Sequence, residues 1–216
     1  LHTPLVTVLQ DGLLGGSGTV YGDVKVYGTL SPGNSIGTFN VDGSLDFMPG
    51  STYEVVLASS GKSDRLETTG PVTIRNATLV VSLRRELYQD GTSWQLISAE
   101  EGINGKFTSI RSNFSSSTLS LSSYYAGDAM GVVIHRIPYS YFGTTPNELE
   151  VAGALDALLP IATGTMADLL INSSRMFGRT HKEITIHRKI PSFPVIVDVD
   201  KSQISQVISC LVINAR

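Results

Sequence analysis

The chain has 216 residues, 41% of them hydrophobic and 16% charged, with a formal net charge of −3. That mix excludes a disordered chain, and a balance this close to neutral gives no general case for nucleic-acid binding, which needs clustered cations. The single cysteine, Cys210, cannot close an internal disulfide. No apolar run reaches the roughly 20 residues of a membrane helix, so no membrane insertion is expected. No charged-then-apolar leader precedes Leu1, so a signal is read as removed or never present.

From Thr19 onward, apolar residues alternate in short bursts: Val20, Val24 and Val26, then Phe39 and Val41, Leu45 and Phe47, and Tyr53, Val55 and Leu57. Period two marks half-buried strands. Gly22-Asp23, Gly28, Ser31-Pro32-Gly33-Asn34, Asp42-Gly43 and Pro49-Gly50 punctuate them as turns. Tyr21–Val26, Val41–Phe47 and Arg75–Val81 look alike, at spacings near 20 to 30 residues, which predicts a solenoid that buries its inward residues by stacking. The pattern continues through Trp94–Ile97, the Ser-rich stretch Asn113–Ser123 and Val132–Ile134. Turn spacing alone leaves a two-sheet sandwich open.

At Thr145-Pro146-Asn147-Glu148 the pattern changes to a capped helix with Val151, Leu155, Leu158 and Leu159 on one face, ended by Pro160. Ile161–Thr165 reads as a small-residue linker. Beyond Ala167, short strands are expected around Ile184–Ile186 and Val195–Val199. An amphipathic helix is expected over Ser202–Ala215, with Ile204, Val207, Ile208, Leu211, Val212 and Ala215 on its apolar side.

Gly33-x-Ser35-x-Gly37 spells a hydrolase nucleophile elbow. An elbow needs a strand before the serine and a helix after it, but Ser31–Asn34 reads as a turn and Thr38–Val41 as strand. Pro32-Gly33 fits the centre of a type II turn, with positive φ at the glycine. If Ser35 is catalytic, His135 is the candidate base, with Asp64 or Asp128 to orient it. Asp42, Asp46, Glu54, Asp64 and Glu67 are candidates for paired acids acting on a polysaccharide. Asp23, Asp42 and Asp90 sit beside glycines, which favours turns. His2, His135, His181 and His187 lack metal-ligand spacing, so no metal is expected. The cluster Arg175, Arg179, Lys182, Arg188 and Lys189 reads as a solvated face.

The run Gly28-Thr29-Leu30-Ser31-Pro32-Gly33-Asn34-Ser35-Ile36-Gly37-Thr38, followed by Val41-x-Gly43-x-Leu45-x-Phe47, resembles the C-terminal passenger region of bacterial autotransporters. Gly50–Val55, Ser63-Asp64 and Asn147-x-x-x-Val151-Ala152-x-Ala154-Leu155-Asp156 extend the resemblance, which covers about residues 15–160. It implies a right-handed parallel β-helix displayed at the cell surface. Neither that family's long N-terminal functional part nor its C-terminal membrane barrel is read in these residues, so they are not expected to anchor in an outer membrane by themselves.

The tail, about 168–216, is similar to a different family. Ser173-Ser174-x-Met176-Phe177-Gly178-Arg179-Thr180-x-Lys182-Glu183-Ile184 resembles a sensor histidine kinase entering its ATP-binding domain. Val197-x-Val199-Asp200-x-x-Gln203-Ile204-x-Gln206-Val207, with Leu211-x-x-Asn214-Ala215, resembles that domain's N box, where Asn214 would ligate the magnesium of ATP. Cys210 stands where the family has an asparagine, and no glycine-rich lid or phosphoacceptor helix is present. The tail is therefore read as an inactive remnant. Asp168-Leu169 can be encoded with the restriction site GATC, which suggests two fragments joined in a library.

The sequence thus predicts a mainly β, right-handed parallel β-helix with a short helix and a small α/β remnant. The expected domains are 1–138 (passenger-like), 139–167 (helical cap and linker) and 168–216 (truncated kinase-like). The expected role is a non-enzymatic surface or secreted stem, with no cofactor. The alternative is a hydrolase: a serine esterase or lactonase using Ser35, His135 and Asp64, or a sugar-acting enzyme using paired carboxylates. Expected partners are a second copy through an exposed β edge and a polysaccharide or other surface ligand. The expected location is extracellular, although a recombinant product without a leader would stay in the cytoplasm.

Overall fold

The computed structural model of the chain describes residues 1–114, 116 and 118–176. The fold is mainly β. Its strands are β1 (His2–Val8), β2 (Leu13–Gly16), β3 (Gly18–Val26), β4 (Thr29–Pro32), β5 (Thr38–Asp42), β6 (Leu45–Phe47), β7 (Thr52–Leu57) and β8 (Arg65–Thr68). They continue as β9 (Val72–Ile74), β10 (Thr78–Leu83), β11 (Ser93–Ala99), β12 (Ile103–Gly105), β13 (Ser109–Ser112), β14 (Leu119–Ala126) and β15 (Ala129–Arg136). Contacts divide the chain into two compact units. The first is Leu1–Phe114 with Leu121–His135, and the second takes the described residues among 115–120 and 136–176.

In the first unit the chain runs β5, β6, β7 and then returns, so that β8, β9 and β10 lie beside them in the same order and direction. Leu45 pairs with Val24 before it and Val72 after it, and Val72 pairs in turn with Ile103. The strands form one sheet ordered β12-β9-β6-β3-β5-β8-β11-β15-β14, with β1 on β3, and a second ordered β13-β10-β7-β4-β2. Alternation decides which side chains are enclosed, since successive residues of a strand point to opposite faces. Val24, Val26, Val41, Leu45, Phe47, Val55 and Leu79, the residues expected to point inward, are all buried.

Because the register is kept, like residues stack in columns. Leu30, Tyr53 and Leu79 form one, and Val26, Phe47 and Ile74 another. Each such side chain contributes about 1.5–3 kcal/mol on full burial. The rings of Phe47, Tyr53 and Phe107 meet with centroids 5.4–6.0 Å apart. The one polar atom in that cluster is satisfied: Tyr53 Oη donates to the Leu96 carbonyl at 2.8 Å, and burial pushes the phenol pKa well above its usual range. The bends fall at a column of glycines. Gly43 sits at φ +154°, and a Cβ there would stand 2.7 Å from the Gly22 carbonyl. Side chains in that column would therefore push successive layers apart.

Two features differ from the sequence expectation. Strand pairing begins before Thr19, where the alternation was first read, because β1 already pairs with β3 in parallel. Pairing is also not parallel throughout: β15, which carries Val132–Ile134, runs antiparallel to β11. β15 is flanked on its other side by β14. Only Gly127 and Asp128 separate β14 from β15, and a two-residue link permits only a hairpin.

In the second unit a 3-10 turn (Tyr139–Phe142) leads to α1 (Pro146–Leu158) and α2 (Gly164–Met176). α1 starts as expected. Thr145 is its N-cap, and the Glu148 carboxylate accepts from Thr144 N, Thr144 Oγ1 and Thr145 N at 2.7–2.9 Å. Asp156, at the far end of α1, accepts from Tyr139 N (2.7 Å) and Ser140 N (3.0 Å) and so ties the 3-10 turn to the helix. Tyr139, Leu159, Leu169, Leu170 and Ile171 are the buried apolar residues among the described residues of this unit. α2 runs without a break through the end of the expected linker and past Asp168.

The bonds to Thr144 and Thr145 hold the Glu148 pKa below its ordinary value of 4.5. A depressed acid stabilises the fold above its unfolded pKa and loses that contribution as pH falls through the folded one. Acidification from pH 6 to pH 3 should therefore lower the protection factors of the first-turn amides of α1, that is, their exchange rates relative to the intrinsic rate at each pH, and Glu148→Gln should abolish most of that pH dependence. Exchange followed by mass spectrometry checks both.

Candidate functional site

The site raised by the sequence is built around the turn between β4 and β5. Gly33 has φ +78°, as a type II turn requires. Its N–H donates to the Gly16 carbonyl at 2.9 Å. A Cβ on Gly33 would overlap Asp64 Oδ1 and stand 2.7 Å from Gly37 N, so only glycine fits. Ser35 is held at φ +148°, a backbone region that L-residues rarely adopt. Its Oγ accepts a hydrogen bond from Arg84 Nη2. The chain after Gly37 enters β5 rather than a helix, so Ser35 does not stand on an elbow of the hydrolase kind.

Asp64 organises this corner. The residue is only 2% exposed. Its Oδ1 accepts from Gly37 N at 2.9 Å and its Oδ2 from Val56 N at 2.8 Å, while Asp64 N donates back to the Val56 carbonyl at 3.0 Å. One carboxylate therefore binds the 33–37 turn to the end of β7. Burial pushes its pKa up, against the pull of the two backbone N–H groups and of Arg84. A raised acid makes the folded state the better proton binder, so this group by itself favours folding as pH falls through its folded pKa. Acid sensitivity is expected instead from acids held low, Glu148 and Asp23, whose Oδ1 accepts from both Ser44 N and Ser44 Oγ at 2.9 Å.

The candidate triad does not converge. Both Asp64 oxygens serve backbone donors, and β8 and β11 lie between β5 and β15. That puts His135 about three strand spacings, roughly 14 Å, from the strand that follows Ser35. The structure pairs His135 with Ser122 instead, Oγ to Nε2 at 2.6 Å. Sequence reasoning missed Ser122 as a site residue. The signal was Gly127-Asp128: a two-residue turn there sets Ser122 opposite Val133 and diagonal to His135.

Three of the carboxylates proposed to act in pairs take other partners. Asp42 accepts from Thr69 Oγ1 at 3.0 Å, Asp46 lies 3.7 Å from Arg75 and Glu67 lies 3.5 Å from Arg65. Across the ladders Asp46 neighbours Lys25 and Thr73, Glu67 neighbours Asn40, and Glu54 in the other sheet neighbours Val80. None of these ladder neighbours is an acid. Among the described residues no group of three or more His, Cys, Asp or Glu could hold a metal, and no helix is long and apolar enough to cross a membrane. His181, His187, Cys210, Asn214 and the basic residues from Arg179 on lie outside the described residues.

No family model matches the chain. It is similar to an extracellular serine protease of Serratia marcescens, with 30% identity over 166 residues. The match takes in 71% of this chain but only 16% of the protease. The chain therefore spans a small part of the relative's length.

Asp64→Asn keeps one acceptor and turns a donor toward a backbone N–H. It should destabilise the first unit by about 1–3 kcal/mol, read as a lower urea midpoint at unchanged slope. Ser35→Gly should match or exceed wild type in the same assay, because glycine accepts the φ that strains serine.

Proposed function

We propose that the first unit is a segment of a secreted or surface-exposed passenger, built as a right-handed parallel β-helix and acting as a structural or adhesin stem. One observation carries this reading: residues 21 to 31 positions apart fall into register three times over along the same column, Val24 to Leu45 to Val72 to Ile103. A stacked fold of this kind displays whatever is attached to it at a distance and needs no catalytic centre. The similarity to a Serratia protein whose name includes "extracellular" supports the location. So does the place of the residues shared with autotransporter passengers: Gly33, Gly37 and Asp64 meet at one corner, and Asp156 holds the turn before α1. The domain reading that goes with this is 1–138 as passenger, 139–167 as cap and linker, and 168–216 as a kinase-like remnant without a part in the stem.

Replacing the matching segment of the Serratia protease with this chain's aligned residues tests the role. The hybrid should accumulate outside the cell as a protease-resistant product. A hybrid that is made but retained and degraded, while the parent is exported, would refute the stem reading. Gly33→Val in the hybrid should lower the extracellular yield, because its Cβ overlaps the Asp64 carboxylate.

A further inference from the structure

A second arrangement in the first unit lies away from the 33–37 corner and is not used by the stem role. Met130, Val132 and Ile134 are fully buried. Ile134 donates to the Thr92 carbonyl at 2.9 Å and accepts from Gly91 N at 3.0 Å. These anchors fix β15 and leave His135 on its outer, exposed side. On β14, Phe107 N donates to Tyr125 Oη at 2.9 Å, and Lys106 Nζ lies 5.3 Å from the Tyr125 ring centroid. That pins one face of β14 and presents Ser122 and Tyr124 on the other. Ser122 Oγ and His135 Nε2 are 2.6 Å apart, and both residues are exposed. The Tyr124 ring lies over Gly131, where a Cβ would stand 2.5 Å from Tyr124 Cζ. An aromatic wall therefore stands beside the serine, two residues along the same strand face.

We propose that Ser122 is a nucleophile activated by His135 and that it takes acyl groups from small aryl esters. Hydrogen-bond contact between a hydroxyl and an imidazole nitrogen is the arrangement that lets the base remove the proton as the oxygen attacks. Ser122 Oγ bonds to the ester carbonyl carbon while its proton passes to His135 Nε2. The tetrahedral adduct collapses by breaking the carbon–oxygen bond to the aryloxide, which leaves with the electron pair, and the imidazolium returns its proton to solvent. Water then attacks the acyl carbon as His135 takes its proton; the bond from that carbon to Ser122 Oγ breaks, Oγ recovers the proton from the imidazolium, and the carboxylic acid is released. The pair stands on an open strand face rather than at a helix N-terminus. The reaction is therefore limited to esters whose leaving group is already good, since oxyanion donors are commonly worth 10²–10³ in rate. Tyr124 favours an aryl leaving group by stacking.

The test uses the full chain and p-nitrophenyl acetate at limiting concentration, read by nitrophenolate release and by peptide mapping of the acetyl group. In samples quenched before the acyl-serine hydrolyses, one acetyl should map to Ser122. Ser122→Ala should remove that label. His135→Gln keeps a hydrogen-bonding side chain but cannot accept the proton, and should slow labelling by about 100-fold or more. Both side chains are exposed, so melting should be unchanged, which separates lost chemistry from lost fold. Label found only on lysines or the N-terminus, equal rates in His135→Gln, or loss of the label in Ser35→Ala would each overturn the proposal. None of these outcomes bears on the stem role, which rests on the stacked columns.

Discussion

The corner of the first unit depends on one buried carboxylate. A turn of five residues containing two glycines has little to hold it in place, since neither glycine brings a side chain to pack. Asp64 supplies the missing constraint from 27 residues downstream, by receiving the N–H of Gly37 on one oxygen and the N–H of Val56 on the other. Burying a charge is costly unless it is hydrogen-bonded, and here the bonds are to backbone groups that would themselves be costly to bury unpaired. The same arrangement recurs in the second unit, where Asp156 receives the N–H groups of Tyr139 and Ser140. In each case a single side chain fixes an irregular segment whose own sequence is too small or too short to fix itself.

With the corner fixed, the rest follows from register. A one-residue slip in any of the parallel ladders would turn Leu45, Phe47 or Leu79 out to solvent. The columns of Leu30, Tyr53 and Leu79 and of Val26, Phe47 and Ile74 therefore reinforce one another along the stack. The glycine column at Gly22 and Gly43 lets the layers approach closely enough for this. At β11 the parallel order gives way to the antiparallel β15.

Much of this was legible beforehand, for identifiable reasons. Inward positions such as Val24, Val41 and Leu79 show in a period of two, which is a local property. The Thr145 to Glu148 capping box is local too and was read correctly. What sequence could not supply were pairings across distance. Asp64 looked like a candidate catalytic acid because nothing near it in sequence reveals that its oxygens face Gly37 and Val56. Ser35 looked like a nucleophile by spelling, while its backbone conformation and its Arg84 partner come from other parts of the chain. β8 and β9, at four and three residues, were too short for their periodicity to stand out. Ser122 was hidden in a Ser-rich run, and only the hairpin register singles it out.

Asp64 makes the 33–37 turn part of the stacked body rather than a surface loop. Native-state hydrogen exchange of the Gly37 and Val56 amides measures this directly. If the carboxylate holds both, the two amides should exchange together, slowly, and with the opening free energy of the buried column residues such as Leu45 and Tyr53. Fast exchange of Gly37 at loop-like rates, with Val56 still protected, would contradict it.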